Sequence, residues 1–335
     1  MTEFHLLLVG YGNVAKRFVT LLDEQRAALA RQYNLRTRIV GIVTRRDGPR
    51  YLIPALGQTT APSALAFIRE ACVRDRAARD GRLVVVETTT LDIRRGEPAI
   101  SHVRAALAGG AHVVTANKGP AAFAYRSLAR AAGRAGRRFL FEGAVMDGVP
   151  VFNFVRDTLP AVKILGFRGV VNSTTNYILT AMEQGQPFAD ALARMQAAGI
   201  AEADASLDVD GWDAAAKTAA LANVLLGASL TPHTVDRQGI SERTGRRAIA
   251  AKAAGKRLKL VVRAAREGRR VAARVGPEVL PGNDLLAGLE GQQNALILQT
   301  DLLDEIAIVQ RGGSLTQTAY ALLSDVITIA RTVAR

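Results

Sequence analysis

The chain has 335 residues, of which 49% are hydrophobic, and carries a formal net charge of +14 with a single cysteine, Cys72. This length and apolar content predict two domains with a large core, whereas no apolar run reaches the roughly 20 residues of a membrane span and one cysteine excludes an intrachain disulfide. Residues 1–10 also lack a charged segment followed by a small-residue cleavage site, so we expect a cytoplasmic protein without a membrane partner.

Strands and helices alternate in the first part of the chain. A compact apolar strand over residues 4–9 is followed by a helix that the pattern predicts over residues 14–30. Further strands are predicted over residues 38–44, 83–86, 112–115 and 138–142, and further helices over residues 97–108 and 123–135. This alternation indicates an α/β fold whose N-terminal part is a doubly wound parallel sheet of the Rossmann type.

The pattern changes near Gly148-Val149-Pro150. Beyond this point the predicted strands cover residues 163–171, 258–264, 271–275, 295–300 and 305–310, and the predicted helices cover residues 175–183, 188–198, 213–226 and 318–331. We therefore predict one domain over residues 1–148, completed by a C-terminal helix within residues 312–335, and a second, α+β domain over residues 149–311.

A glycine-rich segment, Gly10-Tyr11-Gly12-Asn13-Val14-Ala15, joins the first strand to the first helix. The first glycine permits a tight turn, the second lets backbone N–H groups approach a pyrophosphate, and the small third residue lets the helix pack on the strand. The segment, apart from Tyr11, is therefore predicted to bind a dinucleotide. A purely structural turn in another α/β fold is the alternative.

The end of the second strand bears on the choice of dinucleotide. An acidic residue there would bind a ribose 2′-hydroxyl and repel a 2′-phosphate, but this strand ends in Val43-Thr44-Arg45-Arg46. Arginine pairs bidentately with phosphate, so Arg45 and Arg46 favour NADP. Because Asp47 follows directly, use of NAD as the cofactor stays an alternative. The alternative for both arginines is that they are only solvated.

Arginine dominates the basic residues, since only seven of the 44 are lysine. The arginines form scattered pairs, without a long basic block or interleaved aromatic residues. We interpret them as solvated helix faces and expect no nucleic-acid partner. The scarcity of lysine makes Lys118 and Lys217 more informative, because both lie inside motifs.

An acidic segment precedes Lys217. Asp213 comes four residues earlier, so a helix would place both side chains on one face. Carboxylates in a pocket suit a substrate ammonium group, and a lysine beside them suits proton transfer to a developing alkoxide. An ordinary surface ion pair is the alternative, and the spacing is not that of an EF-hand. The other carboxylates of the segment are Glu202, Asp204, Asp208 and Asp210.

Taken together, these motifs resemble the homoserine dehydrogenase family over most of the chain. Besides the glycine loop, the resemblance rests on the order and spacing of Thr115-Ala116-Asn117-Lys118, the segment from Glu142 to Pro150, Asn172-Ser173-Thr174-Thr175-Asn176, and the run from Gly199 to Lys217. It implies NAD(P)-dependent interconversion of L-aspartate 4-semialdehyde and L-homoserine.

The resemblance also implies roles for individual residues. Lys217 would donate and accept the proton, and Lys118 would lie between nicotinamide and substrate. The residues implied to bind substrate are Gly199, Glu202, Asp208 and Asp213, with Asp213 also catalytic. Thr88, Thr89 and Gly313 would join the cofactor-binding set.

A monovalent cation site and a homodimer follow from the resemblance as well. The cation would be bound by Glu142, Val145, Asp147 and Val149, mostly through backbone carbonyls, and the second domain would form the dimer. The chain leaves no room for a C-terminal regulatory domain, so we expect none. Ser173 and Asp147 depart from the family pattern, which keeps open a dehydrogenase of another small oxo or hydroxy acid, or a catalytically silent NADP-binding regulator.

Overall fold

The computed structural model describes residues 1–197 and 205–333, and the chain divides into two compact units. The first comprises Met1–Asn153 and Ser314–Arg335, and the second comprises Phe154–Gly313. Gly199 and Glu202 lie outside the described residues.

The described residues form helices and strands throughout the chain. The strands are β1 (Thr2–Val9), β2 (Leu35–Thr44), β3 (Gly48–Tyr51), β4 (Leu83–Glu87), β5 (His112–Thr115), β6 (Phe139–Leu140), β7 (Ile164–Val170), β8 (Asp236–Arg237), β9 (Lys256–Glu267), β10 (Arg270–Pro281), β11 (Asn294–Thr300) and β12 (Glu305–Gln310). The helices are α1 (Asn13–Glu24), α2 (Arg26–Tyr33), α3 (Ala64–Arg74), α4 (Arg76–Arg79), α5 (Ala99–Ala108), α6 (Gly119–Ala135), α7 (Phe152–Thr158), α8 (Ser173–Met182), α9 (Phe188–Ala197), α10 (Ser206–Val209), α11 (Trp212–Leu225), α12 (Glu242–Ala253) and α13 (Leu315–Val333).

The first unit is built on a sheet of six strands in the order β3-β2-β1-β4-β5-β6. All its neighbours pair in parallel except β3, which forms an antiparallel hairpin with β2. Apolar residues fill both faces of the central strands, as a sheet covered by helices on both sides requires. The fold class predicted from the sequence is confirmed.

The last helix of the chain belongs to this first unit. Apolar residues recur along α13 with helical spacing, and they pack against α1 and the sheet. The buried members of this stripe are Ala319, Leu322, Leu323, Val326, Ile329 and Ala330. The chain therefore returns to its N-terminal sheet after it has formed the second unit.

Two local predictions in the first unit are wrong. The helix predicted over residues 14–30 is two helices, because α1 ends at Glu24 and α2 begins at Arg26. The polar run from Asp23 to Arg26 offers no buried side chain that would hold one straight helix there. The strand predicted over residues 138–142 is only Phe139–Leu140, because Glu142 begins a short 3₁₀ turn whose hydrogen bonds are described below.

The second unit has a mixed sheet of six strands in the order β12-β11-β7-β9-β10-β8. Its neighbours are antiparallel except for β10 and β8. Helices α8, α11 and α12 pack on this sheet. In the described part of the chain, no helix is long and apolar enough to span a membrane.

Candidate active site

The glycine loop lies between the carboxyl end of β1 and the start of α1, in the first unit. Gly10 has a φ of +89°, and a Cβ there would approach the backbone carbonyl carbon and oxygen of Thr88 to 2.9 Å, so this position requires glycine. Gly12, the N-cap of α1, has open space where a Cβ would point. Ala15 is fully buried in α1. The loop therefore leaves room for a pyrophosphate at an uncapped helix N-terminus, which fits a dinucleotide.

The ends of β4 and β5 lie beside this loop. The Thr88 hydroxyl donates to the Gly10 carbonyl oxygen at 3.2 Å, and its N–H donates to the Val9 carbonyl at 2.8 Å. Thr89 follows in the same loop, and Lys118 immediately precedes α6. Thr88, Thr89 and Lys118, which are predicted to bind the cofactor, therefore lie along one edge of the sheet.

Arg45 and Arg46 lie in the exposed turn that joins β2 to β3. In the same turn the Thr44 hydroxyl donates to the Asp47 carboxylate at 2.9 Å and accepts the Asp47 N–H at 2.8 Å. The Asp47 carboxylate is thus engaged by its own turn, whereas both arginines reach solvent beyond the end of β2.

The predicted cation loop has an unusual backbone. Met146, Asp147 and Gly148 have φ values of 52°, 49° and 91°, and a short 3₁₀ turn follows Val145. Such left-handed conformations in residues other than glycine are strained. The loop therefore holds its carbonyl groups in a conformation that the sequence alone would not favour.

Two buried carboxylates support that loop. The Glu142 carboxylate accepts the N–H groups of Val151, Phe152 and Asn153 at 2.6, 3.0 and 2.6 Å. Asp325 of α13, fully buried, accepts the Glu142 N–H at 2.9 Å. The Glu142 carboxylate is thus hydrogen-bonded to backbone N–H groups. The predicted cation ligand at this residue is therefore its backbone carbonyl, together with the carbonyls of residues 145, 147 and 149.

A polar cluster in the second unit contains the predicted catalytic lysine. Asp213 and Lys217 lie one turn apart on α11, and the Lys217 ammonium is 2.8 Å from Asp213 Oδ2. The same ammonium donates to the Val171 carbonyl at 2.7 Å. Both side chains are largely buried, at 15% and 14% exposure. Two acceptors therefore hold the Lys217 ammonium group in place, and the side chain is not an exposed surface cation.

Asn172 joins this lysine pair to Asp208. Its Nδ2 group donates to Asp208 Oδ1 at 2.7 Å and to Asp213 Oδ2 at 2.9 Å. Its Oδ1 atom accepts the Thr175 N–H at 2.8 Å and so caps α8. One side chain thus fixes the start of α8 and brings two carboxylates together.

The two carboxylates influence each other electrostatically. Burial and the negative charge of Asp213 raise the pKa of Asp208, while the hydrogen bond from Asn172 and the charge of Lys217 oppose that shift. Like charges held this close suit a site that receives a positively charged group.

Sequence reasoning did not assign Asn172 to the site, although it lies in a quoted motif. An asparagine just before a helix start is the signal for an N-cap, but its contacts with Asp208 and Asp213 leave no local signal. Ser173 departs from the family pattern, and its hydroxyl oxygen accepts a hydrogen bond from Asn294 Nδ2 at 2.9 Å. Gly313 lies in the exposed segment just before α13.

Histidine contributes nothing to a metal site in what the structure describes. Residues 1–197 and 205–333 contain no group of three or more His, Cys, Asp or Glu side chains that could hold a metal ion. A cation bound by backbone carbonyls would not produce such a group, so the predicted cation loop stays a prediction.

The chain matches two family models and several known proteins. The model described as homoserine dehydrogenase matches residues 150–327, and the one described as homoserine dehydrogenase, NAD binding domain, matches residues 10–142.

The chain is 35% identical over 350 residues to the NAD(+)-dependent homoserine dehydrogenase of Pseudomonas canavaninivorans, and this alignment covers 100% of this chain and 98% of that protein. It is 33% identical to the homoserine dehydrogenase of Sulfurisphaera tokodaii, over 97% of this chain and 98% of the relative. Among solved structures, a homoserine dehydrogenase from Thiobacillus denitrificans superposes with a TM-score of 0.82 at 29% identity, over 98% of this chain and 74% of the other.

Proposed function

Because this chain belongs to the homoserine dehydrogenase family and is therefore an oxidoreductase, we propose that it interconverts L-aspartate 4-semialdehyde and L-homoserine with Lys217 as the acid and base. The observation that carries this proposal is the buried pairing of Lys217 with Asp213 and the Val171 carbonyl. A dinucleotide fits the chain because the space beside Gly12 is open and the turn at Gly10 admits no side chain.

A bound dinucleotide would supply the hydride for reduction and take it up in oxidation. In reduction, the Lys217 ammonium gives a proton to the aldehyde oxygen, which becomes the hydroxyl group of homoserine. In the reverse direction Lys217 removes that proton. Asp213 orients the ammonium group, and Asp208 and Asp213 together attract the substrate's amino group.

We further propose that the cofactor preference is for NADP. Arg45 and Arg46 lie in the turn after β2, where a 2′-phosphate would meet them, and Asp47 is engaged by Thr44. The relative from Pseudomonas canavaninivorans is described as NAD(+)-dependent, so this preference would distinguish the two proteins. Lys118 would add an ammonium group at the nicotinamide end of the site, and Gly313 would lie near the cofactor.

Two further features belong to the same proposal. The loop from Glu142 to Val149 would bind a monovalent cation such as sodium through its carbonyls, which its left-handed backbone supports. The second unit would form a homodimer, which the apolar side chains exposed on its strands and in the β11–β12 turn support. Leu165, Val279 and Val309 lie on strands, and Leu302 and Leu303 lie in the turn.

The test is an assay with aspartate semialdehyde and NADPH or NADH, in which consumption of the reduced cofactor is followed by absorbance. Lys217→Ala should lower kcat by about 10²- to 10⁴-fold, because the positioned proton donor is lost. Lys252→Ala, which removes an exposed lysine at the end of α12, is the matched control and should keep wild-type activity. Equal activity of the Lys217 variant and the control would refute the proposed role, and no turnover by the wild type would refute the reaction.

A further inference from the structure

Glu87 is a buried carboxylate that the proposed mechanism does not use. It is the last residue of β4 and has no exposed surface. In a doubly wound sheet a dinucleotide crosses the carboxyl edge where the strand order reverses. Here β2 lies on one side of β1, and β4 and β5 lie on the other. A dinucleotide with its adenosine half over β2 would therefore have its nicotinamide half near the ends of β4 and β5, and Glu87 is the last residue of β4.

The carboxylate of Glu87 ties the loops after β4 and β5 together. Its Oε1 atom accepts the Thr89 N–H at 3.1 Å and also the Thr89 hydroxyl. Its Oε2 atom accepts the Thr115 hydroxyl at 2.8 Å. All three groups donate, so both oxygens of the Glu87 carboxyl group act as acceptors. His102 Nδ1 lies 3.7 Å from Oε1, beyond hydrogen-bond distance.

Hydrogen bonds of Thr115 extend this network to the loop that contains Lys118. The Thr115 hydroxyl oxygen accepts the Asn117 N–H at 2.9 Å. Asn117 in turn donates from Nδ2 to the Thr89 carbonyl at 2.9 Å, and its Oδ1 accepts the Gly119 N–H at 2.8 Å. The bonds form a closed ring from Glu87 through Thr115 and Asn117 to Thr89, and the ring fixes the backbone on both sides of Lys118.

We propose that Glu87 is a positioning residue that sets the nicotinamide end of the dinucleotide site through Thr115 and Asn117. It is not a catalytic residue, because a fully buried side chain touches neither cofactor nor substrate. The inference rests on the dinucleotide site of the proposed function, and it does not depend on which substrate is reduced.

The experiment compares a whole dinucleotide with a fragment of it. Dissociation constants are measured by calorimetry for NADPH or NADH, whichever binds more tightly, and for the corresponding ADP-ribose fragment, which lacks the nicotinamide. The variants are Glu87→Gln, Thr115→Val and Thr115→Ser, and the melting temperature of each is recorded. Thr115→Ser is the matched control, because serine keeps the hydroxyl that valine lacks.

We expect Glu87→Gln and Thr115→Val each to weaken binding of the whole dinucleotide about tenfold, since each removes charge-assisted hydrogen bonds from the ring. Binding of the ADP-ribose fragment should not change, and Thr115→Ser should bind both ligands as the wild type does. The double variant Glu87→Gln/Thr115→Val should lose no more than one single variant, because both changes open one ring.

Equal weakening of the dinucleotide and the fragment would overturn the proposal, because it would indicate general damage to the first unit. Wild-type binding by Thr115→Val would also overturn it. If Glu87→Gln does not fold, the valine and serine variants of Thr115 decide the question by themselves. Because binding is measured without substrate, failure of the proposed reaction would leave this result unaffected.

Discussion

At the residue scale, the cluster around Lys217 shows how one neutral side chain organises several charged ones. Asn172 donates to both Asp208 and Asp213, and Asp213 contacts the Lys217 ammonium. Neighbouring donors let two carboxylates lie close together in a partly buried site, where they would otherwise repel each other. The proposed proton donor therefore depends on an amide that takes no part in the chemistry.

The cofactor preference is tested at Arg45 and Arg46. Replacing both with alanine should weaken NADPH binding by about 10- to 100-fold for each arginine that contacts the 2′-phosphate, because one charge-assisted contact with a phosphate contributes roughly 1.5–3 kcal/mol. NADH binding should change little. Arg130→Ala/Arg134→Ala on the exposed face of α6 removes the same charge elsewhere and serves as the control. Calorimetric titration of both cofactors would contradict the proposal if the losses for NADPH and NADH are equal.

His112 should make the protein sensitive to acid. Its Nδ1 accepts the Arg138 N–H at 2.9 Å and its Nε2–H donates to the Gly81 carbonyl at 3.1 Å, so the buried ring is neutral. Burial, and next the charge of Arg137, lower the pKa of His112 to about 4 from 6.5. The unfolded chain therefore takes up this proton first, and stability is lost as the pH falls from 6.5 towards 4.

We expect this single group to account for a loss of about 3 kcal/mol over that pH range, since one pKa unit is worth roughly 1.4 kcal/mol. Urea unfolding of the wild type and of His112→Gln at several pH values measures the effect. The variant should be less stable near neutral pH, but it should lose less stability on acidification. Parallel pH profiles for the two proteins would show that His112 does not titrate in this way.

At the element scale, the connections between strands and helices determine where the groups of the site lie. The β1–α1 turn needs glycine at position 10 because the Thr88 backbone lies against it. The loop after β6 is held from two directions, by its own Glu142 on the start of α7 and by Asp325 of α13. Elements far apart in the chain thus meet at the same edge of the first sheet.

The two glycines of the β1–α1 turn should fail in different ways when changed to alanine. Gly10→Ala should lower the free energy of unfolding by about 1–3 kcal/mol, because the methyl group meets backbone atoms and the φ of +89° is strained for alanine. Gly12→Ala meets no atom and should keep the wild-type melting temperature. It should still weaken dinucleotide binding by about tenfold or more, because the methyl group takes the place of the pyrophosphate.

Denaturant unfolding and cofactor titration of the two variants separate these effects. A stable Gly10→Ala protein would show that the turn relaxes without cost. Unchanged cofactor affinity in Gly12→Ala would show that the pyrophosphate lies elsewhere.

At the scale of the whole molecule, the two units contain different groups of candidate functional residues. The first contains the dinucleotide loop and is closed by the last helix of the chain, and the second contains the acidic cluster with Lys217. The second sheet also exposes apolar side chains on its strands and in the β11–β12 turn. These exposed apolar side chains are the observation that supports the homodimer proposed above.

The proposed homodimer predicts a solution mass of about twice the 35.7 kDa of one chain. Val309 on the edge strand β12 is 47% exposed, and Val309→Asp should shift the protein towards the monomer, because a charge cannot be buried in an apolar interface without cost. Val73→Asp, at a residue of the first unit that is 75% exposed, is the control and should leave the mass unchanged. Light scattering after size-exclusion chromatography measures both, and a monomeric wild type would contradict the prediction.

The sequence by itself determined the features that depend on neighbouring residues. Apolar periodicity predicted the α/β fold, the glycine spacing predicted the turn after β1, and the four-residue spacing of Asp213 and Lys217 placed them on one helix face. Each of these features depends on local backbone geometry, so the amino-acid sequence is sufficient to predict it. The exact helix break at Gln25 and the short β6 were missed, because both depend on which side chains find a buried partner.

Only the tertiary structure decided how the distant polar groups meet. Asn172 reaches Asp208 and Asp213 across 36 and 41 positions of the chain, Thr115 reaches Glu87 across 28, and Asp325 reaches Glu142 across 183. The roles of Gly199 and Glu202 stay predictions, since both lie outside the described residues. Side chains this far apart in the chain carry no common periodicity. They meet because strand order and helix packing bring their backbones together, and a buried polar group is stable only where such a partner is present.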